Sequence, residues 1–257
     1  MSSNLNAPSR GLVLAIADIQ GDDQRLERLL ASPAYAQAGV RVFLGDIVDG
    51  DGNNVAALRR VVDEVLAGRA LWIPGNHDLH LLEYLKVWAK STGEPPAPRH
   101  AGQAATLAQM KALAAENIVA FTALVNDFSR AMAKSDYAFL RVGRLFLAHG
   151  GWTPGMTRAF GRANRRRVGY GVYTADLTEQ ETRHAVYGFN LGHSGKSHCT
   201  PPQDLLLAVG HHYRRKGSDT PTWQGNILFL DTGSGKGGTL SAALIEPTSG
   251  AARFFSF

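Results

Sequence analysis

The sequence predicts an α/β sandwich in which helices pack over β-sheets, and three observations predict it. Short runs of Val, Ile, Leu and Phe recur along the chain and end abruptly in glycine and polar residues. Segments with helical spacing of apolar residues lie between several of these runs. The chain, 257 residues and 44% hydrophobic, is long enough for one sizeable core.

The runs come in order. Leu12 to Ala17 precedes Asp18, Val42 to Leu44 precedes Gly45-Asp46, and Leu71 to Ile73 precedes Pro74-Gly75-Asn76-His77-Asp78. Leu145 to Ala148 precedes His149-Gly150-Gly151, Leu205 to Val209 precedes Gly210-His211-His212, and Ile227 to Leu230 precedes Asp231-Thr232-Gly233. Continuously apolar runs bounded by turn residues are expected of strands buried on both faces. Asp22 to Leu30, Asn54 to Leu66 and Asp78 to Ala89 read as helices, the last opening on an acidic residue that suits a helix N-terminus. Residues 104 to 134 read as additional helix, with an apolar stripe of Leu107, Met110, Leu113, Phe121, Leu124 and Phe128. That segment, an insertion over about 90–135, is expected to be a cap or side wall that supplies no chemistry. Residues 153 to 203 are a variable segment, and β structure resumes at Asp204. Residues 11–257 are expected to form one domain after a disordered polar lead over 1–10.

Composition narrows the class. No apolar run reaches the roughly 20 residues of a membrane span. Met1 to Arg10 lacks the apolar centre of a signal peptide. The single cysteine, Cys199, excludes an intramolecular disulfide framework and a thiolate-rich zinc site, and it suits the cytoplasm. A formal charge of +5 and a pI near 9.5 would draw phosphorylated partners or nucleic acid, although net charge reports on encounter rather than on a site.

The chemistry lies where the runs end. Asp, His and Asn gathered at the carboxyl ends of strands would repel, or be costly to desolvate, without a cation among them. A pair of divalent metals supplies one. Carboxylate, amide and imidazole donors without thiolate suit manganese, iron, zinc or magnesium. Gly21, Gly45, Gly75, Gly150 and Gly210 flank the candidate ligands and let the backbone come close to an ion.

The ordered set Asp18-x-Gln20-Gly21, Gly45-Asp46-x-x-Asp49, Gly75-Asn76-His77-Asp78, His149 and Gly210-His211 resembles the calcineurin-like metallophosphoesterases, in their phosphoprotein phosphatase branch. Gly75-Asn76-His77-Asp78-Leu79-His80-Leu81-Leu82 and Leu230-Asp231-Thr232-Gly233 through Gly237-Gly238-Thr239-Leu240 are most similar to symmetrical diadenosine tetraphosphatases. The resemblance implies a four-layer α/β/β/α sandwich with a helical insertion, and two divalent ions, manganese foremost. It implies that Asp18 binds the first metal, that Asp46 bridges both, and that Asn76, His149 and His211 complete the second site. His77 becomes the general acid and Asp49 the carboxylate that orients it. The implied reaction is hydrolysis of a phosphate ester or anhydride, on a phosphorylated small molecule, a nucleotide or a phosphoprotein.

Two departures stand out. Gln20 occupies a position where most relatives carry His; its amide oxygen either joins the first metal or stands behind it. Gly50 follows Asp49 where the family usually has a phosphate-gripping arginine. Arg165, Arg166 and Arg214 are candidate replacements for substrate binding, with Arg167, Arg215 and Lys236 also in reach of the argument. His193 competes with His211 for the ligand role, but an apolar strand precedes His211. His100, His184 and His198 have no motif around them and are expected at the surface. The basic balance leaves a nucleic-acid end phosphatase as an alternative. The missing arginine leaves a non-catalytic metal-holding protein, against which the Asp49–His77 pair argues.

Overall fold

The computed structural model describes residues 9–89, 97–135, 137–160, 166–169, 172–187, 201–213 and 220–257. The apolar runs become strands of two mixed sheets. The first contains β1 (Ser9–Ile16), β2 (Ala38–Phe43), β3 (Leu71–Trp72), β11 (Ser241–Ile245) and β12 (Ala252–Ser256), in the order β12-β11-β1-β2-β3. The second contains β4 (Phe139–Val142), β5 (Leu145–Ala148), β6 (Arg166–Gly169), β7 (Val172–Thr174), β8 (Leu206–Val209), β9 (Thr222–Gln224) and β10 (Ile227–Phe229), in the order β6-β7-β4-β5-β8-β10-β9. The strands that carry motif residues at their ends run parallel: β1 with β2, β2 with β3, β5 with β8 and β8 with β10. Parallel neighbours bring their carboxyl ends to one edge, where sheet ligands collect.

The faces explain the apolar runs. Val13, Ala15 and Ala17 point between the sheets, onto Leu145, Leu147, Leu206, Ala208 and Leu228. Leu14 and Ile16, on the other face of β1, meet helices. Likewise Phe146 and Ala148 face outward from β5 onto Trp152, Met156 and Ala185. Each central strand is thus covered on both sides, so it has no polar alternation. The result is the expected α/β/β/α layering.

The helices over the first sheet are α1 (Asp23–Leu30), α2 (Pro33–Gln37), α3 (Asn54–Leu66), α4 (Asn76–Trp88), α5 (Ala101–Glu116) and α6 (Ile118–Lys134); α7 (Pro154–Phe160) and α8 (Glu179–Tyr187) cover the second. Their starts follow capping rules. Asp22 Oδ1 accepts from Arg25 N at 3.2 Å, Asn53 from Ala56 N at 3.0 Å and Asn117 from Ala120 N at 2.9 Å. α4 begins at Asn76, two residues before the expected Asp78. The reason is local: Asp78 is the third helical residue, and its carboxylate reaches back to accept Gly75 N at 2.8 Å. No helix among the described residues is long and apolar enough to cross a membrane.

α5 and α6, expected as a cap or side wall, pack into the core. Leu107, Met110, Leu124, Phe128 and Ala131 bury in the same cluster as Leu58, Val61 and Val62 of α3. Phe128 meets Trp72 of β3 with ring centroids 6.0 Å apart. Phe128→Ala should therefore cost about 3–5 kcal/mol of stability, read as a lower urea midpoint. A loss below about 1 kcal/mol would show that α6 lies on the domain without being part of its core.

Candidate metal centre

Asp18 follows β1, Asp46 follows β2, Asn76 follows β3, His149 follows β5, His211 follows β8 and Asp231 follows β10. The loops that present them are strained. Among the described residues, the non-glycine positions with positive φ are Gln20 (50°), Asp46 (50°), Asp49 (76°) and His211 (59°), and all four belong to the expected site. Such angles cost free energy and persist only where surrounding contacts hold them. Asp78 supplies part of that hold. Its buried carboxylate accepts Asp46 N at 2.9 Å, Ile47 N at 2.9 Å and Gly75 N at 2.8 Å. Two motif glycines are steric necessities. A Cβ on Gly75 would lie 2.1 Å from Asp46 Oδ1, and one on Gly210 would lie 2.2 Å from Asp18 Oδ1.

The side chains converge on His149. Its Nδ1 donates to the Leu44 carbonyl at 2.5 Å, which leaves the lone pair on Nε2. Yet Nε2 faces Asp46 Oδ1 at 3.3 Å, Asn76 Oδ1 at 3.2 Å and His211 Nδ1 at 3.2 Å. His211 N donates to Asp18 Oδ1 at 2.9 Å, which ties Asp18 to the same group. Donor atoms of Asp46, His149 and His211 all lie within 4.8 Å of one another.

Such a gathering of acceptors has electrostatic consequences. Burial raises the Asp18 pKa well above the usual carboxylate value, and the charge of Asp231 pushes it further. Burial would also raise Asp46, but the charge and hydrogen bond of His149, with the charges of His77 and His211, hold it below the usual range. Burial works against protonated His149, yet the charge and hydrogen bond of Asp46 lift its pKa to about 10. Burial, then the charge of Asp46, lifts Asp78 to about 7 against its backbone donors. Without another cation, the site keeps a proton on His149. Gln20 Oε1 is buried with no hydrogen-bond partner, an acceptor that awaits one. Carboxylate, amide oxygen and imidazole donors gathered this closely fit divalent metal.

Beside this group stands a second. His77 Nδ1 lies 2.8 Å from Asp49 Oδ2, and its Nε2 lies 3.8 Å from Asp46 Oδ2. Burial disfavours the charged ring, but the hydrogen bond to Asp49 and the charges of Asp46 and Asp49 raise its pKa above the ordinary histidine value. His100 completes the cluster, with Nε2 3.6 Å from Asp49 Oδ2 and its ring edge-on to His77 at 4.9 Å. His100, expected at the surface, is partly exposed but turns its ring toward His77 and Asp49. No motif surrounds His100 because its position depends on where α5 docks; its Nδ1 caps α5 by accepting Gln103 N at 3.2 Å.

The remaining expectations divide. His80 is partly buried, 3.4 Å from the Tyr187 hydroxyl, and His212 Nε2 bonds the Gly150 carbonyl at 2.6 Å. Arg165, Arg214, Arg215, His193 and His198 lie outside the described residues, and Arg166 and Arg167 are described only as backbone of the edge strand β6. Lys236 is exposed on the glycine-rich turn after Asp231, and its charge bears on His77, His100 and Asp231. Asp78, Asp231, Thr106 and His100 are site residues that the motif reading left without a role. Asp231 had a visible signal as the end of a sixth apolar run, and Asp78 had one as the acidic residue of the Gly75-Asn76-His77-Asp78 motif.

The residues at the two departures approach each other through their backbones. A Cβ on residue 50 would lie 1.8 Å from the Gln20 carbonyl oxygen, so no side chain fits there while residue 20 holds its left-handed turn.

Comparison with known proteins agrees with this picture. A stretch of 78 residues is 36% identical to the symmetrical bis(5'-nucleosyl)-tetraphosphatase of Paraburkholderia phymatum, covering 30% of this chain and 27% of that protein. Another, of 81 residues, is 41% identical to the corresponding enzyme of Dechloromonas aromatica, covering 31% of this chain and 29% of that protein. These matches span less than a third of the relatives' length. Among solved structures, a protein serine/threonine phosphatase from Saccharomyces cerevisiae superposes with a TM-score of 0.57 at 13% identity, covering 98% of this chain and 80% of that one. A candidate diadenosine tetraphosphatase superposes with a TM-score of 0.52 at 19% identity, covering 96% and 94%. At those identities the superpositions speak for the fold alone. Residues 11–215 match the calcineurin-like phosphoesterases, and the chain belongs to that family.

Proposed function

We propose that the protein is a phosphohydrolase that uses two divalent ions, manganese foremost, to cleave phosphate esters or anhydrides. Asp18 and Gln20 would hold the first ion, Asp46 would serve both, and Asn76, His149 and His211 would hold the second. The observation that carries the reading is the convergence of Asp46, Asn76 and His211 on His149 Nε2, with donor atoms of Asp46, His149 and His211 within 4.8 Å of one another. When bound, the ions would activate a water and offset charge on the phosphoryl oxygens. The chain's own residues do the rest. His77, its Nδ1–H bonded to Asp49, presents Nε2 toward the site and protonates the departing oxygen. Asp49 keeps that proton on the correct ring nitrogen. Lys236 contacts the substrate phosphate in place of the missing arginine, a role that its charge on His77 and Asp231 supports.

Within the class, a dinucleoside polyphosphate is the favoured substrate. Its support is the names of the curated relatives, together with the likeness of the Gly75 to His80 motif noted in the sequence. A phosphoprotein substrate has only a likeness of fold behind it. A chain whose single cysteine is Cys199 suits the reducing cytoplasm.

Manganese-supplemented turnover of p-nitrophenyl phosphate, its bis-ester, a phosphopeptide and diadenosine tetraphosphate tests the class, with the last expected to turn over fastest. Inertness toward all four with metal bound would sink it. His77→Asn should lower kcat on an unactivated ester about 10²–10⁴-fold; an unchanged rate would remove the acid assignment. The His149 pKa of about 10 yields a pH prediction. Near neutral pH the metal-free site carries that proton and must release it on loading. Affinity should therefore rise with pH, by about tenfold per unit per proton released. Calorimetry in buffers of different ionisation enthalpy would count the protons, and a count of zero would contradict the proposed ligand set.

A further inference from the structure

The inserted helix α5 packs along the loop that follows Asp46. That loop, Asp49-Gly50-Asp51-Gly52-Asn53, has little side chain with which to support itself. Its outside partners come from elsewhere in the chain. Asp51 N donates to the Gly235 carbonyl at 3.0 Å. Gln109 of α5 donates to the Gly52 carbonyl at 2.9 Å and accepts Val55 N at 3.3 Å. Gly102 of α5 lies so close that a Cβ on it would sit 2.2 Å from the Asp49 carbonyl oxygen.

Thr106 makes the most specific contact. Its side chain is fully buried, one helical turn beyond Gly102. Asp49 N donates to Thr106 Oγ1 at 3.1 Å, and Thr106 Oγ1 lies 2.6 Å from Asp49 Oδ1. The first bond uses a lone pair of the hydroxyl, so its single proton is free to donate. The competing acceptor, the Gly102 carbonyl, is at 3.4 Å, and the shorter distance assigns the proton to Asp49. One hydroxyl therefore clamps the backbone and the carboxylate of Asp49 together. It does so at a residue whose φ of 76° needs outside support. Asp49 Oδ2 is left for His77 Nδ1 at 2.8 Å, and His100 packs edge-on against the same ring.

We propose that Thr106 is a positioning residue for the acid: by fixing both the backbone and Oδ1 of Asp49, it aims Oδ2 at His77 and so sets the direction of the His77 proton. The proposal rests on the phosphohydrolase reading above. Its consequence is selective. A poor leaving group depends on protonation, whereas p-nitrophenolate departs with little help.

The test uses the manganese-loaded full chain with Thr106→Val, which keeps the shape and removes the hydroxyl, and Thr106→Ser, which keeps the hydroxyl. Thr106→Val should lower kcat on an unactivated phosphate ester about 10- to 100-fold and leave p-nitrophenyl phosphate within about twofold. Thr106→Ser should restore the unactivated rate to within about twofold of wild type, and Thr106→Val should cost nothing further in a His77→Asn background. Equal losses on both substrates, no loss on either, or a full further loss in the His77→Asn background would each overturn the role while leaving the enzyme class intact. Thr106→Ala carries the same expectations should Thr106→Val not fold, and failure of both to fold would overturn the role as well. A wild type inert toward both substrates would instead overturn the phosphohydrolase reading on which the proposal stands.

Discussion

The structure is organised around one electrostatic constraint, the meeting of Asp46, Asn76 and His211 at the lone pair of His149. The Leu44 carbonyl takes the other ring proton, so Nε2 has no donor to offer in the neutral state. The neighbours of Nε2 offer mainly acceptors, and Asp18 and Asp231 add charge from the next strands. A cation resolves the arrangement, either a proton or a metal. That requirement explains why so much else is fixed nearby: the left-handed turns at Gln20, Asp46, Asp49 and His211, and the glycines whose missing side chains admit the carboxylates.

Holding anionic groups together in this way needs a rigid backbone frame. The parallel strands provide its coarse form, because neighbours such as β1 and β2 end on the same edge. Asp78 provides the fine form. It gathers three backbone N–H groups from two loops and ties the β2 loop to the start of α4. Its position in the first turn of that helix lets one carboxylate both cap the helix and brace the loop after β2. The same residue that reads in sequence as a helix start is thus part of the support for Asp46.

How much of this was legible in sequence follows from what each feature depends on. Strands buried on both faces announce themselves as apolar runs, so the sheets and the strand-end positions of Asp18, Asp46, His149 and His211 were visible. α3 was bounded correctly, since Asn53 caps it and its apolar spacing is regular. The start of α4 was misplaced because glycine at its cap carries no side-chain signal. His100 and Thr106 were unreadable for a different reason. Their roles depend on a contact 57 positions apart between Thr106 and Asp49, and no local pattern encodes where one helix docks on a distant loop. The stripe of Leu107, Met110, Leu124 and Phe128 showed that the helices pack, but not what the opposite side of α5 touches.

That contact gives the missing arginine a structural context. Glycine at position 50 is required by the Gln20 carbonyl, whose place is set by a left-handed turn at residue 20. Position 50 thus lies at a close backbone approach to residue 20. A loop brought that close has few side chains of its own to stabilise it, and polar support from outside becomes necessary. Asn54 supplies some from below, accepting Gly50 N at 3.1 Å and donating to the Gly50 carbonyl at 3.0 Å. The Gly235 carbonyl accepts Asp51 N, and α5 adds the contacts of Gly102, Thr106 and Gln109. The insertion is thus coupled to the chemistry by geometry: the loop that carries Asp49 needs a second surface to lie against, and α5 is that surface.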